Sequence, residues 1–144
     1  RPPPRAPKLV AELLDDCEEL TRKLGCDPKT VIFGGRSMGG RICSMAAAEG
    51  MPAAGLLLLS YPLHPPTNPE KLRVEHFANI ESPTLFVSGN NDPFGSPQEF
   101  KQQTSSIKGK VTTKFLDGGR HDPSSRAHIA SIVDVVSAWV STLS

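Results

Sequence analysis

Of the 144 residues only three are cysteine, one is tryptophan and one is tyrosine, and charge of neither sign has accumulated. Each scarcity excludes something. Cys17, Cys26 and Cys43 are an odd set at spacings that match no zinc or redox signature, so a disulfide framework is not expected. They read as free thiols in a reducing, cytoplasmic compartment. Sixteen basic against fifteen acidic residues leave a net charge of +1, which offers no electrostatic footprint for nucleic acid or for an anionic membrane surface. The longest apolar stretch, around Ala53 to Leu59, falls far short of the ~20 residues that a membrane span needs. The chain opens Arg-Pro-Pro-Pro-Arg, with neither an initiator methionine nor the apolar segment of a secretory signal, so a processed or truncated intracellular chain is expected.

What is present is an ordinary globular composition, 38% hydrophobic and 22% charged, in a length that suits one domain with a proper core. Residues 1–7 are expected to be a Pro-rich extended lead-in, and residues 8–144 a single α/β domain. Leu9, Leu13, Cys17, Leu20 and Leu24 recur at the helical period, with Gly25 as C-cap. Thr30 to Phe33 reads as a short buried strand running into Gly34-Gly35, and Met38 to Glu49 as a helix stopped by Gly50. Leu56 to Leu59 is a continuous apolar run whose length and flanks favour a buried strand. Asn68-Pro69 predicts a short helix ending near Phe77. Further strands are predicted over Thr84 to Ser88 and Val111 to Leu116, with a helix opening at Ser96-Pro97 between them. A last amphipathic helix places Ile129, Ile132, Val133, Val136, Trp139, Val140 and Leu143 on one face. Helices alternating with about four continuously apolar strands predict a three-layer αβα sandwich around a mainly parallel sheet.

In such a sheet ligands bind beyond the carboxyl ends of the strands. Past the first predicted strand lies Gly35-Arg36-Ser37-Met38-Gly39, a G-x-S-x-G elbow. The bare pattern arises by chance in roughly one chain in twenty of this length, but here it falls between a strand and a helix, the setting the chemistry requires. Ser37 then sits on a tight turn at a helix N-terminus, where the Met38 N–H can stabilise an oxyanion. Past the third strand comes Asp92 and past the fourth His121, giving the order Ser…Asp…His of α/β-hydrolase triads. Asp117 and Asp122 are close in sequence to His121, awkward for a partner on a separate loop. His76 and His128 fall in or beside helices. Arg36, Tyr61 and His64 are expected to line the pocket. No ligand spacing supports a metal site from His121, Asp122 and His128, and no cofactor is implied. The short span between Tyr61 and Thr84 leaves no room for a large lid, so an open site is expected.

On these residues the chain resembles the α/β-hydrolase superfamily, close to its dienelactone-hydrolase-like branch. The runs Gly34 to Gly39, Ser60-Tyr61-Pro62-Leu63-His64-Pro65, Lys71-Leu72-Arg73 and Leu85 to Gly89 look more narrowly like one family. That family contains testis-expressed protein 30 and the third regulatory subunit of the NSL histone-acetyltransferase complex. The resemblance runs from about Lys8 to the C-terminus and implies a triad of Ser37, Asp92 and His121. It also implies that this chain is the C-terminal portion of an α/β-hydrolase fold, without the strands and the second oxyanion donor that normally come first. The Thr30–Phe33 strand is then expected to be an exposed sheet edge through which the chain self-associates. Three readings remain open: a serine hydrolase cleaving a small ester or thioester substrate, an acyltransferase using the same nucleophile, and a non-catalytic interaction module on the same scaffold.

Overall fold

In a computed structural model, which describes residues 5–143, four parallel strands lie in the order β1-β2-β3-β4. They are β1 (Ile32–Arg36), β2 (Gly55–Leu59), β3 (Thr84–Gly89) and β4 (Val111–Leu116). Helices α1 (Ala6–Leu24), α2 (Met38–Ala48), α3 (Pro97–Gln103) and α4 (Arg126–Val140) complete the chain. The expected three-layer sandwich is therefore the fold. Continuous apolar strands are needed because both faces are covered. Leu56, Leu58 and Phe86 pack with Cys43 and Ala47 of α2 and with Phe100 of α3 on one face. Leu85, Val87 and Leu116 pack under Trp139 of α4 on the other.

Several boundaries move. Helix α1 begins at Ala6, within the expected lead-in, and Pro7 occupies its first turn, where a missing N–H costs nothing. Residues 1–4 of that lead-in lie outside the described residues. Strand β1 starts and ends later than the sequence predicts and carries Gly34 and Gly35 inside it. Both glycines answer to neighbours that are distant in sequence or across the turn. A Cβ on Gly34 would stand 2.6 Å from the Leu57 carbonyl oxygen, and one on Gly35 2.6 Å from the Gly40 nitrogen.

The helix predicted from Asn68 to Phe77 does not form; only a 3₁₀ turn over Phe77–Asn79 does. Its backbone is committed elsewhere, because Arg73 N–H donates to the Leu63 carbonyl and Tyr61 Oη donates to the Arg73 carbonyl. The buried face of α4 also differs from expectation. Ile132, Val135, Val136 and Trp139 turn inward, while Ile129, Val133 and Val140 are exposed. In α1, Cys17 is buried as expected, but Leu20 and Leu24 are exposed, and Val10 and Thr21 are buried instead.

β1 is one edge of the sheet among the described residues. Val31 O accepts from Ala54 N and Ser37 N donates to Leu59 O, both at 2.8 Å. Odd-numbered residues of β1 thus bond toward β2, and Ile32, Gly34 and Arg36 turn their backbone groups to the open side.

Candidate active site

Three strand ends build the site. β1 runs directly into Ser37, whose φ of 53° and ψ of −120° lie outside the regions comfortable for a side-chain-bearing residue. The Ser37 N–H is fixed to the Leu59 carbonyl of β2 and its carbonyl accepts from Arg41 N. The turn is thereby held from both sides. Gly35 lets α2 leave against the strand without a side chain between them. Met38, 39% exposed, opens α2, and the first N–H groups of a helix have no acceptor within it.

Ser37 Oγ lies 2.9 Å from His121 Nε2, and His121 Nδ1 lies 2.9 Å from Asp92 Oδ2. The structure thus brings together the serine, histidine and aspartate that the chain order suggested. Asp92 is buried, and its other oxygen, Oδ1, accepts from Phe94 N at 2.8 Å. The Phe94 ring stacks on the His121 imidazole, with centroids 4.1 Å apart and planes 29° from parallel. Sequence reasoning missed Phe94; a lone aromatic two residues past a loop aspartate carries no signal of its own.

The two loops bearing Asp92 and His121 are clamped together, which sequence reasoning also missed. Gly89 and Gly119 meet backbone to backbone. Asn91 N donates to Gly119 O at 2.8 Å and Asn90 N to Leu116 O at 3.0 Å. The Asn90 side chain donates to Asp117 Oδ1 and accepts from Gly118 N. Gly89 at the end of the third strand and Gly118-Gly119 shortly past the fourth were the available hint.

The other candidates are placed elsewhere. Asp117 is occupied by Asn90 and by His128, whose Nε2 bonds its carbonyl at 2.8 Å. Asp122 is exposed and pairs with Arg36 at 3.1 Å. His76 shares a 2.7 Å hydrogen bond with Ser44 behind α2, and burial lowers its pKa to about 4. Among the described residues, no group of three or more His, Cys, Asp or Glu is placed to hold a metal ion.

The pocket expectation divides. Arg36 stands beside the site and donates to the His121 carbonyl at 3.3 Å. Tyr61 and His64, in contrast, are buried rather than lining an open pocket, at 0% and 4% exposure. Tyr61 belongs to the aromatic core with Phe77 and Phe86. His64 is enclosed against α3, with Nε2 2.8 Å from Glu99 Oε2 and Nδ1 2.7 Å from the Pro65 carbonyl. Burial alone would raise the Glu99 pKa, but hydrogen bonds at Ser96 and the nearby His64 outweigh it and bring it below its ordinary value.

The chain belongs to a family described as alpha/beta hydrolase domain, whose pattern matches residues 1–138. Solved structures agree in fold. Over 93% of this chain the acylaminoacyl peptidase of Pyrococcus horikoshii superposes with a TM-score of 0.75 at 14% identity, the match covering 27% of that enzyme. The monoacylglycerol lipase of Paleococcus ferrophilus gives 0.73 at 14% identity over 94% of this chain and 76% of its own. Dienelactone hydrolase from Anabaena variabilis gives 0.72 at 17% identity over 93% of this chain and 59% of its own. The chain therefore spans 27% of the peptidase and 59% of the dienelactone hydrolase. No helix among the described residues is long and apolar enough to cross a membrane.

Proposed function

We propose that this chain carries the nucleophile, base and orienting acid of a serine hydrolase acting on a small ester or thioester substrate. The observation that carries this reading is the continuous relay Ser37–His121–Asp92, with both contacts at 2.9 Å. In the proposed reaction Ser37 Oγ attacks the acyl carbon while His121 Nε2 takes its proton. Asp92 Oδ2 accepts from His121 Nδ1–H, fixing the tautomer that leaves Nε2 free to act as base. The Met38 N–H stabilises the oxyanion. The proton then passes from Nε2 to the departing alcohol or thiol, leaving an ester between the acyl group and Ser37. Water, deprotonated by His121, attacks that ester and releases the acid and the free serine. These steps use side chains, backbone and water alone, so the proposal names no cofactor. The esterases, lipases and peptidases among the fold neighbours support hydrolysis as the reaction type without supplying a substrate.

The proposal extends to three further points. The runs Gly34 to Gly39 and Ser60 to Pro65 support placement near the testis-expressed protein 30 and NSL-subunit family. Three free thiols support a cytoplasmic setting. The outward backbone groups of Ile32, Gly34 and Arg36 support self-association of this chain along β1. An interaction module is the second reading, favoured by the exposed Ile129, Val133 and Val140 on α4.

Labelling with a fluorophosphonate, read by intact mass, tests the leading reading. One adduct on the wild-type chain, absent from Ser37→Ala, is expected. A folded chain that takes no adduct makes the interaction module the better reading.

A further inference from the structure

His64 and Glu99 form a partly buried side-chain pair that does not touch the serine, histidine or aspartate of the site. Their placement nevertheless points there. His64 follows β2, is 4% exposed, and has Nε2 within 2.8 Å of Glu99 Oε2. Its Nδ1, 2.7 Å from the Pro65 carbonyl, must carry a hydrogen to donate there. Glu99 is the third residue of α3 and uses its other oxygen, Oε1, to accept from Ser96 N at 3.0 Å, completing a capping box. One carboxylate therefore caps the start of α3 and also stands beside the imidazole of His64.

From His64 the contacts lead to Phe94, and every part of Phe94 is engaged. Its carbonyl accepts from His64 N at 3.2 Å. Its N–H donates to Asp92 Oδ1 at 2.8 Å. Its ring lies on the His121 imidazole, 4.1 Å between centroids. The turn has no slack beneath it, since Gly95 N donates to Asp92 O and a Cβ on Gly95 would come within 3.0 Å of Leu63 and Phe100. A partly buried side-chain pair of this kind gains little net stability, because desolvation offsets much of the attraction. What such a pair does well is fix geometry.

We propose that His64 and Glu99 are positioning residues for the site: they hold the Asp92–Gly95 turn and, through Phe94, set the plane in which the His121 ring meets Ser37 and Asp92. The inference rests on the serine-hydrolase reading for its functional meaning, and its geometric content can be measured separately.

Glu99→Gln is the first variant, because glutamine still accepts from Ser96 N and preserves the cap while removing the charge beside His64. Phe94→Leu is the second; it keeps the backbone contacts and removes the stacked ring. Three readouts are taken on the whole chain: the rate of fluorophosphonate modification of Ser37, the downfield proton resonance of His121 Nδ1–H, and the thermal unfolding midpoint. Both variants should slow modification by at least about threefold, since small misalignments are costly in rate. Both should shift or broaden the downfield resonance, with the midpoint within about 3 °C of wild type. Wild-type rate together with an unmoved resonance in Glu99→Gln would overturn the proposal. Should Glu99→Gln fail to fold, Phe94→Leu decides by the same criteria. If the wild-type chain is not modified at all, the hydrolase reading fails by itself, and the resonance in the variants still decides whether the pair positions His121.

Discussion

Gly89 and Gly119 are in backbone contact across the ends of β3 and β4, so close that a Cβ on Gly89 would strike Gly119 and stand 2.6 Å from the Arg120 carbonyl oxygen. The loops bearing Asp92 and His121 owe their approach to this contact. Gly89→Ala must push them apart, because the obstructing atoms are backbone and cannot rotate away. The expected result is destabilisation of about 1–3 kcal/mol, read by chemical denaturation, with loss of fluorophosphonate labelling at Ser37. Labelling at the wild-type rate would show that the contact does not set the separation of Asp92 from His121.

His76 makes stability fall on the acid side. Burial depresses its pKa to about 4 from an ordinary value near 6.5, with Glu75 opposing the shift and Arg41 adding to it. Above pH 6.5 the imidazole is neutral in both the folded and the unfolded chain. Between about 6.5 and 4 the unfolded chain binds a proton that the folded chain refuses, so the stabilisation present above the upper value drains away as pH falls. His76→Gln, which keeps a hydrogen-bonding side chain near Ser44, should flatten the stability profile over this window. Denaturation midpoints collected from pH 7 to pH 4 check it; an unchanged slope would count against His76 as the source.

On α4 two nearby positions should behave oppositely. Trp139 is buried against Leu85, Val87 and Leu116, and Trp139→Ala should cost about 3–5 kcal/mol. Val133 is 56% exposed, and Val133→Lys should change stability by no more than about 0.5 kcal/mol. Urea unfolding of both variants measures the contrast. A large loss in Val133→Lys would mean that this stripe is covered in solution.

The thiols should react in order of access. Cys43 is buried, its Sγ hydrogen-bonds the Gly34 carbonyl, and burial first, with Cys17 second, raises its pKa to about 11. Burial and then Asp16 raise that of Cys17. Cys26 is only half-buried. Timed alkylation of the native chain at pH 8, followed by peptide mass, should modify Cys26 first and Cys43 last.

The β1 edge should show itself in the hydrodynamics of this chain. Outward backbone groups at Ile32, Gly34 and Arg36 favour pairing with a second strand, so sedimentation should report a weight-average mass that rises with concentration. A mass fixed at that of the monomer over the accessible range counts against association through this edge.

The parts of this protein that were legible in the sequence are those encoded by neighbours. Leu56 to Leu59 reads as a doubly covered strand because every residue in it is apolar, and Ser96-Pro97 announces the start of α3. The G-x-S-x-G elbow is equally local: strand, tight turn and helix follow one another within a dozen residues. The order Ser37, Asp92, His121 could be read as well, since each residue follows its own strand. What the sequence could not settle was how distant segments meet. Gly34 and Gly35 look like a turn until β2 and α2 are seen to need the space a Cβ would fill. Asn68 to Phe77 has a helix-start signal that Tyr61 and Leu63 override by capturing its backbone. Tyr61 and His64 look like pocket residues from their place after β2, yet one completes an aromatic core and the other meets a glutamate thirty-five positions away. The face of α4 that is buried was misjudged for the same reason. Periodicity identifies a helix with an apolar side, but which side chains are covered depends on the sheet and the neighbours it packs against. Composition and local spacing determined the fold class and the chemistry on offer. Only the tertiary structure selected the partners, because the energies that select them come from contacts between residues far apart in the chain.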